Sequence, residues 1–202
     1  MTKIFIADIG LLDIESCLGK VSPARREKTL RLAGDDDKRR SLGVELLLKK
    51  VTGRSDYVLS ENEKPFFSDN EVFFSLAHCG DYAVCAVSDV PVGVDIELPR
   101  AGGARLAKRF FQPDEAALVY AADDPDREFC RLWTLKESYI KYADLRLGDV
   151  RSFSVVSGAE GCSFSSASHG EYLIGCCAKT QDIGEVIVIN EKICVSLTSD
   201  FF

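Results

Sequence analysis

The chain has 202 residues, 46% of them apolar and 28% charged, with a net charge of −7 at pH 7. That length suits one ordinary domain or two small ones with a buried core, and the composition excludes a largely disordered chain. The acidic balance argues against an extended polyanion such as duplex DNA as partner, because such binders carry a basic footprint.

The opening run, Met1-Thr-Lys-Ile-Phe-Ile-Ala-Asp-Ile-Gly10, is too short for a secretion signal and is broken by Asp8. No later apolar run reaches membrane-spanning length, so a cytoplasmic protein is expected. The eight cysteines (Cys17, Cys79, Cys85, Cys130, Cys162, Cys176, Cys177 and Cys194) include no CxxC pair. This predicts reduced, largely buried thiols.

In chain order, β-branched and aromatic residues predict a first strand over 3–9. Ser22 ahead of Pro23 predicts a helix over 23–33, and recurring apolar residues predict another over 37–52. Positive charge is dense between them: Arg25, Arg26, Lys28, Arg31, Lys38, Arg39, Arg40, Lys49 and Lys50 leave room for a small phosphate-rich ligand. Strands are predicted at 56–60, 72–77, 82–87 and 91–97, before Leu98-Pro-Arg-Ala-Gly-Gly103, which has linker composition. Gln112 ahead of Pro113 starts a helix over 113–121. A helix over 126–143 and strands at 152–157, 172–178 and 185–190 follow.

The chain resembles itself at an offset of ninety residues. Pro23 and Pro113, Leu42 and Leu132, Gly80 and Gly170, and Tyr82 and Tyr172 correspond, with Asp81 facing Glu171. Element order repeats as well. The expected fold is therefore α+β, a pseudo-dimer of two similar α/β modules over residues 1–98 and 99–202, with the active site in the cleft between them.

In Val90-Pro-Val-Gly-Val-Asp-Ile-Glu-Leu98 the even positions point one way and Gly93, Asp95 and Glu97 the other. The two carboxylates lie about 7 Å apart at Cα, within reach of one hard cation, with Gly93 clearing space beside them. A strand whose polar face simply meets water has the same pattern. In Phe129-Cys-Arg-Leu-Trp-Thr-Leu-Lys-Glu-Ser-Tyr-Ile-Lys141, apolar residues at helical spacing build one stripe, and Glu137 and Lys141 share another face. They are either a solvated helix pair or a third metal carboxylate beside a cation facing a phosphate. His78, ending an apolar strand before Gly80, and Lys64-Pro65, in a loop, each read equally as structural features.

Taken in order, Ser22-Pro-Ala-Arg-Arg-Glu-Lys28, Arg39-Arg40, Lys64-Pro65, Ala77-His78, Gly93-Val-Asp-Ile-Glu97 and Trp133-Thr-Leu-Lys-Glu137 with Lys141 resemble the motif series of the Sfp-type 4′-phosphopantetheinyl transferases, over residues 20–145. That family is a pseudo-dimer of two α+β modules. The resemblance implies magnesium ligands at Asp95, Glu97 and Glu137, with the ion also binding the pyrophosphate of coenzyme A. It implies that Lys28, Arg40 and Lys64 hold the coenzyme, chiefly its 3′-phosphate, and that His78, Lys136 and Lys141 lie beside the phosphates. Two positions depart from the pattern. Ala77 stands where a serine or threonine is usual, which removes a hydrogen bond worth about 1 kcal/mol, and Glu63 stands where glycine is common.

The implied reaction moves the 4′-phosphopantetheine arm of coenzyme A to a serine of an apo acyl, aryl or peptidyl carrier protein and releases 3′,5′-adenosine diphosphate. Glu137 is the expected base, acting directly or through a metal-bound water, with Lys141 and His78 stabilising phosphate charge. A monomer acting on neither nucleic acid nor membrane is expected. Two rivals are a catalytically weakened binder of coenzyme A or carrier protein, and a metal-dependent phosphodiesterase, which the acidic charge opposes.

Overall fold

A computed structural model describes residues 1–159, 161–190, 193 and 194. Its elements are β1 (Thr2–Asp8), α1 (Ile14–Leu18), α2 (Pro23–Leu30), α3 (Asp35–Thr52), β2 (Val58–Leu59), β3 (Pro65–Phe66), β4 (Phe73–Cys79), β5 (Tyr82–Ser88), β6 (Val92–Glu97), α4 (Ala107–Phe110), α5 (Pro113–Ala121), α6 (Pro125–Ala143), β7 (Ser163–His169), β8 (Tyr172–Ala178) and β9 (Ile183–Ile189). Short 3-10 turns occupy Gly103–Leu106 and Leu147–Arg151. No helix among the described residues is long and apolar enough to cross a membrane.

The helix ends follow from local chemistry. Ser22 accepts a hydrogen bond from Arg25 N to start α2, and Asp124 accepts one from Arg127 N to start α6. Asp35, Asp36 and Asp37 fill the first turn of α3, where the helix dipole favours negative charge, so α3 begins at 35, ahead of its expected start at 37. The 152–157 strand does not form. There Val155 N donates to Glu115 and the Ser154 hydroxyl to Asp114, so polar groups that would face a sheet neighbour are satisfied by helix side chains. The sequence carries little signal for β7, because Ser-Phe-Ser-Ser-Ala-Ser-His has no β-branched residue.

Two sheets, in orders β4-β5-β1-β9 and β6-β8-β7, pack face to face, and β2 and β3 form a separate two-stranded ribbon. Ile4, Ile6, Val84 and Ala86 of the first meet Val94, Ile96, Ile174 and Cys176 of the second. The outer face of the first is covered by α1 and α3, with Leu42, Leu46 and Phe5 in a second core. Helix α6 lies over β6 and β8 on the far side. β6 is hydrogen-bonded to β8, antiparallel, while β9 lies parallel to β1 in the first sheet. The ninety-residue spacing extends to pairing register: Phe5 faces Cys85 and Asp95 faces Gly175, Ser75 faces Ala86 and Ser165 faces Cys176. Gly80 and Gly170, at the two corresponding hairpin turns, both have positive φ, 53° and 57°.

The contact that positions the site is between β6 and α6. A Cβ on Gly93 would stand 1.9 Å from the Ser138 carbonyl oxygen, so the space beside the carboxylates is filled by helix backbone. Gly93→Ala should lower unfolding free energy by about 3 kcal/mol or more, measured by chemical denaturation, because backbone cannot retreat as a flexible side chain can.

Candidate active site

β6 runs its odd-numbered side chains under α6. Asp95 is buried there. Its Oδ1 accepts from Lys141 Nζ at 2.6 Å, and the same ammonium donates to the Val94 carbonyl at 3.1 Å. Its other oxygen, Oδ2, is buried without a hydrogen-bond partner among the described residues. Such an atom is costly unless something satisfies it. Glu97, two residues on, is half-buried and accepts from the Cys79 thiol at 3.5 Å.

The three acids feel one another. Burial raises the Asp95 carboxyl above its usual value despite Lys141. Burial, then the Asp95 charge, raises Glu97. Glu137 rises to about 7, through burial first and then Asp95, with Glu97 adding to it and Lys141 opposing. In these rotamers no group of three or more His, Cys, Asp or Glu side chains among the described residues is arranged to hold a metal. The donors available to a cation are Asp95, Glu97 and Glu137, with the unpartnered Asp95 Oδ2 foremost.

A cavity of about 490 Å³ opens on Asp95, lined also by Lys28, Ala77, His78 and Lys141. Arg25 and Tyr57, which the sequence did not single out as site residues, stand on its wall. Arg25 donates to Glu45 at 3.2 Å and to the Tyr57 hydroxyl at 3.0 Å, and Tyr57 donates to Glu45 at 2.7 Å, so a buried carboxylate fixes this cation in place. The signal available was the basic run itself. His78 is surface-open, yet its ring is held below the usual imidazole value, by loss of water first and then by the charges of Lys141, Arg40 and Arg25. It is therefore neutral at pH 7. Arg40 pairs with Asp37 at 2.7 Å. Ala77 is largely enclosed in the core between the sheets and presents no polar group.

Two expected coenzyme contacts stand elsewhere. Lys64 is half-buried and donates to the Tyr142 carbonyl at 3.1 Å, while Ser60 and Asn62 bind Asp144 at the end of α6. Lys64 thus faces a separate cavity of about 330 Å³. The Lys136 ammonium is fully buried, 2.8 Å from both Glu115 oxygens and from the Phe153 carbonyl, and in this arrangement it ties α6 to α5. One residue from Glu137 along a helix is about 100° of rotation, enough to reach the opposite core. A second cavity of about 340 Å³ opens on Glu97 and is mainly apolar, with Leu98, Leu106, Phe110, Phe129 and Trp133 in its wall.

Two measurements check this arrangement. Lys136→Met should cost about 3–5 kcal/mol of stability by leaving Glu115 charged and unpaired in the core, and the double variant with Glu115→Gln should recover part of the loss. Glu137, raised from 4.5 to about 7, stabilises the fold fully below pH 4.5, and that contribution is lost as pH rises through 7. Denaturation in a chelator at pH 5 and pH 8 should therefore show Glu137→Gln gaining relative to the parent at the higher pH.

The family model for the 4′-phosphopantetheinyl transferase superfamily matches residues 91–190. A 4′-phosphopantetheinyl transferase of Bacillus subtilis is 33% identical over 151 residues, covering 68% of this chain and 67% of the relative. The 4′-phosphopantetheinyl transferase Sfp of Bacillus subtilis (strain 168) is 33% identical over 153 residues, covering 70% and 68%. A third, gsp of Aneurinibacillus migulanus, is 34% identical over 131 residues, covering 60% and 55%. The sequence motifs, the α+β architecture and these relatives agree, and the chain belongs to the 4′-phosphopantetheinyl transferase superfamily as an enzyme of that class.

Proposed function

We propose that the protein transfers the 4′-phosphopantetheine arm of coenzyme A to a serine of an apo carrier protein, with a magnesium ion held by Asp95, Glu97 and Glu137, and releases 3′,5′-adenosine diphosphate. The observation that carries this reading is the buried, unpartnered Asp95 Oδ2 among three mutually repelling acids at the edge of a cavity walled by cations. The donor set is all oxygen, which suits a hard divalent ion. When bound, such an ion supplies charge neutralisation at a pyrophosphate.

The coenzyme's anionic groups fit the 490 Å³ cavity, where Arg25, Lys28 and Lys141 offer donors and Arg40 adds charge. Lys64 joins them only by releasing the Tyr142 carbonyl. Neutral His78 donates an N–H without adding another positive charge. Glu137 accepts the proton of the attacking serine hydroxyl as the new phosphoester bond forms. Lys141, already bonded to Asp95, bears on the negative charge that develops on the departing phosphate.

The carrier protein fits the neighbouring apolar cavity on Glu97, where Arg100 in the wall and Arg109 over the Phe110 ring offer positive charge to an acidic helical domain. Modules 1–98 and 99–202 form the pseudo-dimer in this reading, each lending a strand to the other's sheet. The eight free thiols suit the cytoplasm.

The test is the intact mass of purified apo carrier proteins after incubation with the enzyme, coenzyme A and Mg²⁺. The parent should add the phosphopantetheine mass. Asp95→Asn and Glu137→Gln should each slow transfer by about 100-fold or more, and Mg²⁺ should raise the melting temperature of the parent alone. Parent-like transfer by Glu137→Gln would defeat the assignment.

A further inference from the structure

Two cysteines meet across almost the whole chain, remote from the carboxylates. Cys17 lies in α1, and Cys194 follows β9. Both sit in one core cluster, and Cys194 lies against Ser16, the residue before Cys17. The Cys194 sulfur also has the Ser16 hydroxyl at 3.7 Å and the Lys20 ammonium at 3.5 Å, and that ammonium donates to the Cys194 carbonyl as well. Lys20 is held in turn, since its own carbonyl accepts from Lys49 Nζ at 3.2 Å.

This neighbourhood divides the two sulfurs. Burial pushes the Cys194 thiol up, but hydrogen bonds from Cys17, Ser16 and Lys20, with the Lys20 charge, outweigh it and hold it below the ordinary thiol value. Burial, with Cys194 beside it, pushes Cys17 up to about 12. Cys17 has no exposed surface and Cys194 retains 7%, so a small reagent meets Cys194 first. Cys162 and Cys177 also influence each other, but both are held above their ordinary value, chiefly by burial. A thiolate beside a cation, with a protonated partner in contact, is the arrangement that oxidises selectively.

We propose that Cys17 and Cys194 form a reversible dithiol–disulfide site, with Cys194 as the sulfur that reacts with a peroxide-class oxidant and Cys17 as the resolving thiol. The Cys194 thiolate attacks one peroxide oxygen and the O–O bond breaks. Cys194 becomes a sulfenic acid, and the other oxygen leaves as hydroxide and takes up a proton. The Cys17 sulfur then attacks the Cys194 sulfur, the S–S bond forms, the S–O bond breaks, and the second water departs with the Cys17 proton. Two thiols lose two electrons to the peroxide, which is reduced to two waters. The resulting bond staples Cys194 to α1.

The test treats the reduced full-length protein with a small excess of hydrogen peroxide, blocks remaining thiols with N-ethylmaleimide and maps the peptides by mass. The expected product is a Cys17–Cys194 linked peptide lacking two hydrogens, reversed by dithiothreitol, in a protein melting several degrees higher because the linked loop is long. Cys194→Ser should abolish the link. In the reduced protein Cys194 should be alkylated faster than any other cysteine, and Lys20→Met should slow that labelling several-fold. Linkage confined to Cys162 and Cys177, sulfinic acid at Cys194 with Cys17 still free, or alkylation of Cys194 no faster than of Cys176 would overturn the proposal.

Discussion

The approach of β6 to α6 is the constraint on which the rest depends. With Gly93 against the Ser138 carbonyl and Gly175 against the backbone of Thr134, the helix rests directly on two strands with no side chain between. At that distance Asp95 and Glu97 on the strand and Glu137 and Lys141 on the helix cannot avoid one another. Their raised carboxyl values and the Asp95–Lys141 bond are consequences of this packing. A larger residue at 93 or 175 would lift the helix and separate the charges.

Charge is distributed so that an acidic molecule holds a cationic chamber. Many surface acids are matched locally, as with Asp35, Asp36 and Asp37 against Lys38, Arg39 and Arg40 on α3. Such exposed pairs contribute little to stability. Around the 490 Å³ cavity, by contrast, cations outnumber the acids on the wall, and after loss of water the charges of Lys141, Arg40 and Arg25 further depress the imidazole of His78. Net charge describes the whole surface, whereas a ligand responds to the field of its own cavity.

Helix α6 serves two environments at once. Lys136 turns inward to Glu115 and the 153–155 segment, anchoring the helix by a buried ion pair, while Glu137 turns toward β6. The anchor fixes the rotation of the helix, and with it the direction of Glu137 and Lys141. At the far end, Asp144, in the left-handed region with φ of 53°, is gripped by Ser60 and Asn62. The helix carrying half of the ionisable cluster is therefore held along its length and at its C-terminal end by neighbouring segments.

Much of this was readable from residues alone. The two-residue alternation of 90–98 put Asp95 and Glu97 on one face, the proline-led helix starts were marked by Ser22 and Gln112, and the ninety-residue offset recurs in the register of paired strands. Local chemistry decides such features, because periodicity and capping act within a few residues. The tertiary structure decided what lay across the chain: that β6 pairs with β8 while β9 joins β1, that Lys136 is buried against Glu115, that Lys64 binds the end of α6, and that Cys17 meets Cys194. These depend on long-range packing, where a lysine in a motif has the same spelling whether its ammonium meets a phosphate or a buried carboxylate.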